Sequence, residues 1–158
     1  MIYVETSVLV ALHTDERFTS SVSHWYANLR GTVLATADWT VTEFASALEH
    51  KKRTGELGTA EARRIWRHFE DQCVEDVRLL PVERDLYAVA SSLIQGTTFG
   101  LRAGDALHLA VAWRSATDAF ATLDSVLQKT AGAKQMQVVA FVDPFGTLPK
   151  TGKARPRR

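Results

Sequence analysis

The stretch Met1-Ile2-Tyr3-Val4-Glu5-Thr6-Ser7-Val8-Leu9-Val10 joins a short apolar run to an acid and two hydroxyl side chains, then returns to apolar residues. Ile2 to Val4 predicts a β-strand. Outward from it, short apolar runs recur at Thr32 to Ala35, Val77 to Leu80, Ala119 to Thr122 and Val138 to Phe141, with longer helix-period stretches between them. Such alternation predicts an α/β fold in which helices flank a central five-stranded, mainly parallel sheet. The helical stripes are Val22, Trp25, Tyr26 and Leu29; Val41, Phe44, Ala45 and Leu48; Ala62, Ile65, Trp66, Phe69 and Cys73; Leu86, Val89, Ala90 and Leu93; and Ala106, Leu109, Ala110 and Trp113. The glycines and charges of Lys51 to Gly58 predict a turn between two helices, hence a helical hairpin between strands two and three. Gln95 to Gly104, with three glycines, predicts a loop between the last two of these helices.

Length and composition bound the rest. With 158 residues, 46% hydrophobic and 23% charged, the chain has the size and balance of one globular domain, expected over residues 1–145, followed by a basic tail over 146–158. Lys153, Arg155, Arg157 and Arg158 in that tail are expected to be solvated, with RNA phosphate as the alternative contact. Cys73 is the single cysteine, so no internal disulfide forms; its place on an apolar stripe predicts a buried, inert thiol. The net charge of +1 neither marks nor excludes a nucleic-acid partner. No apolar run approaches the roughly 18 residues of a membrane helix, and a cytoplasmic protein with no membrane partner is expected. Leu148-Pro149-Lys150-Thr151-Gly152 spells a sortase-type signal, but no apolar span follows it in the sequence, and it is read as coincidence.

In an open parallel sheet, ligands bind beyond the carboxyl ends of the strands, where loops and helix N-termini converge. Glu5 follows the first strand, Glu43 lies early in the helix after the second, Asp105 opens the helix before the fourth, and Asp124 follows the fourth. These four acids are expected to face one crevice. Hard oxygen donors without nitrogen or sulfur suit Mg²⁺ or Mn²⁺ rather than Zn²⁺. Each acid also has an ordinary structural explanation. Glu43 completes the capping-box pattern Thr40-Val41-Thr42-Glu43; Asp105 suits a helix dipole; Asp124 suits the cap of a helix through Val126 and Leu127. Glu5 resists that treatment, since Glu is a poor strand and cap residue. It is the conjunction of the four that points to a site.

These residues carry a resemblance to the PIN-domain family. The opening strand ending in Glu5, then Thr6 and Ser7, resembles the family's first motif. Thr42-Glu43-Phe44 resembles the second, Arg102-Ala103-Gly104-Asp105-Ala106-Leu107-His108-Leu109-Ala110 the third, and Ala121-Thr122-Leu123-Asp124 the fourth. Order and spacing hold over residues 1 to 142, and the compact length is most similar to VapC-type toxins of toxin–antitoxin pairs. The resemblance implies a metal-dependent ribonuclease with Glu5, Glu43, Asp105 and Asp124 as catalytic metal ligands, a cognate antitoxin and a homodimer. Thr6 and Ser7 are then expected to orient a carboxylate or donate to phosphate, with helix capping as the alternative. Arg102 is expected to touch phosphate or to be an ordinary loop arginine. One departure stands out: Glu5 occupies a position where the family usually has Asp. The extra methylene raises a competing reading, a catalytically weakened PIN domain retained as a binding module.

Other classes compete less well. Metal-free cleavage by histidines would need paired groups. His13, His24, His50 and His68 are expected on helices without visible partners, and His108, one turn from Asp105, is expected mainly to pack. A phosphoacceptor receiver domain would need adjacent acids after the first strand and a lysine just after a late one; Glu5 is followed by Thr6 and Ser7, and no lysine closely follows Phe141. Trp25, Trp39, Trp66 and Trp113 are candidates for partner contacts, with core packing as the alternative. Nothing in the sequence names the RNA target.

Overall fold

The computed structural model of the chain describes residues 1–149. Lys150 to Gly152 of the sortase-like stretch and the basic residues Lys153, Arg155, Arg157 and Arg158 lie outside the described residues. Along the described chain run β1 (Ile2–Val4), α1 (Thr6–His13), α2 (Thr19–Ala27), β2 (Leu34–Ala37), α3 (Trp39–Arg53), α4 (Thr59–Glu75), β3 (Val77–Leu80), α5 (Leu86–Gln95), α6 (Ala103–Arg114), β4 (Ala119–Ala121), α7 (Ser125–Ala133) and β5 (Val138–Val139). The strands form one sheet in the order β3-β2-β1-β4-β5, and all four pairings are parallel. The expected α/β architecture is therefore present, including the α3–α4 hairpin between strands two and three.

Strand alternation assigns the two sheet faces. In central β1, Tyr3 joins one apolar core with Phe120, Leu86, Leu93, Leu109 and Leu127 of the α5–α7 layer. Val4, its neighbour, joins the opposite core with Leu34, Val77, Phe44, Ile65 and Phe69 beneath α1–α4. Phe44 and Phe69 stack with ring centroids 4.0 Å apart, which ties α3 to α4. Between those helices Gly55 takes a φ of +78°, and the Glu56 amide donates to the Lys51 carbonyl at 2.9 Å. No helix among the described residues is long and apolar enough to cross a membrane.

Three expectations shift. The second strand runs Leu34–Ala37 instead of Thr32 to Ala35, because pairing to both β1 and β3 fixes it: Leu34 lies opposite Ile2 and Val77, and Ala37 opposite Leu80. Thr36 and Ala37 are wholly buried while Val33 is exposed, so side-chain bulk alone misplaced the boundary. Helix α6 does not carry a one-sided stripe. Ala106 to Ala112 are all buried, and Trp113, expected on the inner face, is exposed. Packed against α5, α7 and β2, this helix has neighbours on several sides, so it reads as apolar nearly all round. Finally, the four tryptophans divide: Trp25 and Trp66 pack against the α1–α4 core, with Trp25 edge-on to Phe141, whereas Trp39 and Trp113 are exposed. Cys73 is free and half-buried, and burial raises its thiol pKa, in keeping with an inert group.

Candidate metal centre

The strand order reverses direction at β1, whose neighbours are β2 on one side and β4 on the other. Beyond the carboxyl ends of these strands the acids gather. Glu5 continues β1 by one residue, its amide donating to the Ala121 carbonyl at 2.9 Å. Its buried carboxylate accepts from the Ser7 amide at 3.0 Å, from the Ser7 hydroxyl and from the Thr122 hydroxyl at 2.8 Å. Glu5 is thus the N-cap of α1, a role the sequence reading gave to Thr6 or Ser7. Glutamate reaches its own helix amides here because Ser7 and Thr122 steer the longer side chain back. The Ser7 hydroxyl in turn accepts the Leu123 amide at 3.0 Å.

Asp124 caps α7 as expected, accepting from the amides of Val126 at 2.7 Å and Leu127 at 2.9 Å. The capping-box reading of Glu43 does not hold. Helix α3 begins at Trp39, so Glu43 lies in its second turn, and the Thr40 hydroxyl pairs with Thr36 at 2.6 Å instead. The Glu43 carboxylate accepts from the Thr6 hydroxyl and pairs with His108 Nε2 at 2.6 Å. Burial alone would raise the pKa of Glu43, but its bonds to His108, Thr6 and Trp39 outweigh burial and lower it. Thr6 and Ser7 therefore each donate to a carboxylate, which matches one of the two roles expected of them.

Asp105 lies in the first turn of α6, as its dipole reading requires. Burial, then the charges of Asp124 and Glu5, push its pKa up to about 6. Repulsion from those two charges disfavours its ionised form. Glu5, Glu43 and His108 offer possible ligand atoms that all lie within 4.8 Å of one another. Asp105 and Asp124 stand outside that tight group; Asp105 feels the charges of Asp124 and Glu5 and acts in turn on His108. Arg102, at the N-cap position of α6, is exposed.

His108 was expected mainly to pack, and the structure gives it more to do. It is fully buried, with Nδ1 2.7 Å from the Tyr3 hydroxyl and Nε2 on Glu43. Burial disfavours its imidazolium, yet the bond to Glu43 and the charges of Glu5, Glu43 and Asp105 prevail and raise its pKa above the ordinary value. Tyr3, Thr122, Trp39 and Gly104 were given no role at the acids from sequence. A tyrosine in an otherwise apolar strand run is a usable signal, since its hydroxyl must find a partner once buried. For Gly104 the reason is close approach: a Cβ there would stand 3.0 Å from Glu43 Oε1 and 3.2 Å from Trp39 Nε1. His13, expected without a partner, pairs with Gln72 Oε1 at 2.8 Å.

A cleft of about 540 Å³ begins at Glu5, Thr6, Ser7 and Glu43 and runs past Glu16 and Ser46 to His50 and Arg53. A separate groove of about 410 Å³ between α3 and α4, lined by Leu48, Ala62 and Trp66 among others, includes none of the four acids.

Comparison with known proteins agrees with this fold. Among solved structures, VapC20 from Mycobacterium tuberculosis, a sarcin–ricin-loop-cleaving toxin, matches with a TM-score of 0.67 at 19% identity, covering 82% of this chain and 94% of its own. FitAcB from Neisseria gonorrhoeae matches with 0.63 at 16% identity, over 87% of this chain and 96% of its own. VapBC2 from Rickettsia felis, solved with a DNA fragment from their promoter, matches with 0.64 at 12% identity, over 89% and 99%. At these identities the likeness is one of fold. No curated protein matches. The PIN-domain family model matches residues 2–133, which contain all four acids and their supporting side chains, and the chain belongs to the PIN-domain family.

Proposed function

We propose that the protein is a metal-dependent ribonuclease, the toxin of a toxin–antitoxin pair, that hydrolyses RNA phosphodiester bonds in the cytoplasm. Glu5, Glu43, Asp105 and Asp124 would hold Mg²⁺ or Mn²⁺, directly or through water. The observation that carries this reading is the placing of the Glu5 and Glu43 carboxylates, which offer oxygens within 4.8 Å of each other beyond the carboxyl end of β1, beside an Asp105 whose pKa is pushed up to about 6 by burial and by Asp124 and Glu5. Carboxylates crowded at the end of a parallel sheet repel one another, and a dication is the partner that offsets the repulsion. The oxygen-rich donor set fits a hard ion. When bound, such an ion would lower the pKa of an attacking water and neutralise charge developing on the phosphoryl group.

The chain's own residues divide the remaining work. Thr6 and Ser7 fix the Glu43 and Glu5 carboxylates by hydrogen bonds, Glu43 would orient the attacking water, and exposed Arg102 would contact a phosphate. A homodimer and an antitoxin that covers the acids complete the proposal.

One observation favours a second reading, a weakened PIN domain kept for binding. Both Glu5 oxygens already accept hydrogen bonds, so its longer side chain serves α1 and β4 as well as any ion. Expression of wild type and Asp105→Asn in cells, followed by mapping of RNA ends, separates the two. The nuclease reading expects growth arrest and discrete new ends that vanish in the variant, reproduced by purified protein with Mg²⁺. Equal growth and identical ends in both strains would leave only the binding module.

A further inference from the structure

We propose that His108 is a positioning residue for Glu43, braced from behind by Tyr3, and is not itself a metal ligand. The inference rests on the reading of the four acids as a metal centre. Glu5, Glu43 and His108 look at first like a mixed oxygen and nitrogen cage, because their ligand atoms lie within 4.8 Å of one another. The hydrogen bonds argue otherwise. An ionised carboxylate only accepts, so the 2.6 Å contact with Glu43 Oε2 requires that Nε2 carry a proton. A protonated ring nitrogen has no lone pair for a cation. The other nitrogen, Nδ1, is spent on the Tyr3 hydroxyl at 2.7 Å, whether the tyrosine donates or accepts there. Both ring nitrogens are thus committed in either charge state of the imidazole.

Tyr3 makes the arrangement stiff. Its ring stacks on Phe120 at 5.3 Å with an interplanar angle of 3°, and its hydroxyl accepts the Ala37 amide at 3.1 Å. Ala37 ends β2, two residues before the helix that carries Glu43. One buried hydroxyl therefore ties β1, the end of β2 and the histidine of α6 together. At the other end, Glu43 Oε2 takes two donors, His108 and Thr6, which leaves Oε1 with capacity for a cation or its water. Residues that orient a ligand in this way typically contribute about 10-fold to 100-fold in metal affinity or activity.

Mn²⁺ binding to the full chain, followed by electron paramagnetic resonance, tests the assignment without relying on turnover. Wild type is expected to bind Mn²⁺ with no directly coordinated nitrogen in its pulsed spectrum. His108→Leu is expected to bind about 10-fold to 100-fold more weakly. His108→Gln, whose amide can still donate to Glu43, should recover much of that loss, and Tyr3→Phe should show a smaller loss in the same direction. Nitrogen coupling to Mn²⁺ in wild type overturns the proposal. So does unchanged Mn²⁺ affinity in His108→Gln and Tyr3→Phe together with His108→Leu, or, should the leucine variant fail to fold, a glutamine variant as weak as Asp105→Asn. Wild type that binds no Mn²⁺ removes the metal centre itself, a result distinct from tight wild-type binding that His108 does not influence.

Discussion

Asp105 is held where two other carboxylates repel it, and its stability contribution has a sign that can be measured. Its folded pKa of about 6 exceeds the value of about 3.9 for an unfolded aspartate. The protonated carboxyl therefore favours the folded chain, fully below about 3.9, and that contribution is lost as the pH rises through about 6. At pH 8, in metal-free protein, the ionised group opposes folding. Asp105→Asn should then melt higher than wild type, by about 2–4 °C if about 1 kcal/mol survives solvent screening of this half-exposed group. The difference should close towards pH 5. Calorimetry in the presence of a chelator checks this, and an asparagine variant that melts lower at pH 8 would contradict the crowding on which the proposed metal centre depends.

At the scale of elements, the site depends on how closely the first turn of α6 approaches α3. Gly104 leaves room for Glu43 Oε1 and Trp39, which a Cβ would meet at 3.0 and 3.2 Å. Alanine favours a helix over glycine by up to about 1 kcal/mol, which offsets the cost of these contacts, so Gly104→Ala should melt close to wild type. It must nonetheless move Glu43, which His108 and Thr6 hold from the other side. A misplacement of about 1 Å costs on the order of a hundredfold. RNA cleavage by this variant is expected to fall by about 10-fold or more while the melting temperature holds; full activity would show that Glu43 has slack. The elements themselves were readable because strands and helices announce themselves in local apolar spacing. The boundary of β2 was not, since Ala35, Thr36 and Ala37 are small and owe their strand to partners on both sides.

Across the whole molecule, the cleft joins an acidic end at Glu5 and Glu43 to a basic end at His50 and Arg53. A phosphodiester chain lying in it would place one phosphate at the acids and another near Arg53. Arg53→Ala is expected to raise KM for RNA with little change in kcat, measured by steady-state cleavage at low salt and weakening as salt is added. A selective fall in kcat would place Arg53 elsewhere in the reaction. Near the C-terminal end of the described residues, buried Asp143 accepts the amides of Phe145 at 3.0 Å and Thr147 at 2.6 Å and pairs with Arg17. Burial would raise its pKa, but those amides and Arg17 prevail and lower it. Its contribution is therefore present above the unfolded value of about 3.9 and is lost as the pH falls through the depressed folded pKa. Asp143→Asn should melt below wild type at pH 7, with the gap narrowing towards pH 3; a gap independent of pH would trace the effect to packing instead of charge.

The sequence by itself determined the alternation of strands and helices, the helical hairpin, and the position of each acid beside the end of a strand or the start of a helix. These are local properties, set by apolar spacing and by which residues start and stop an element. Only the tertiary structure decided which groups each carboxylate meets. Glu5 became a cap through Thr122, which is 117 residues away, and His108 found Tyr3 across 105 residues. Glu43 left its expected capping role because α3 begins at Trp39, and α6 brought His108 to it. Such pairings are absent from local pattern because the sheet order sets them: β1 and β4 become neighbours only after the chain has crossed over through α1 to α6. Hydrogen-bond partners, and with them the protons of the site, are consequences of that crossing.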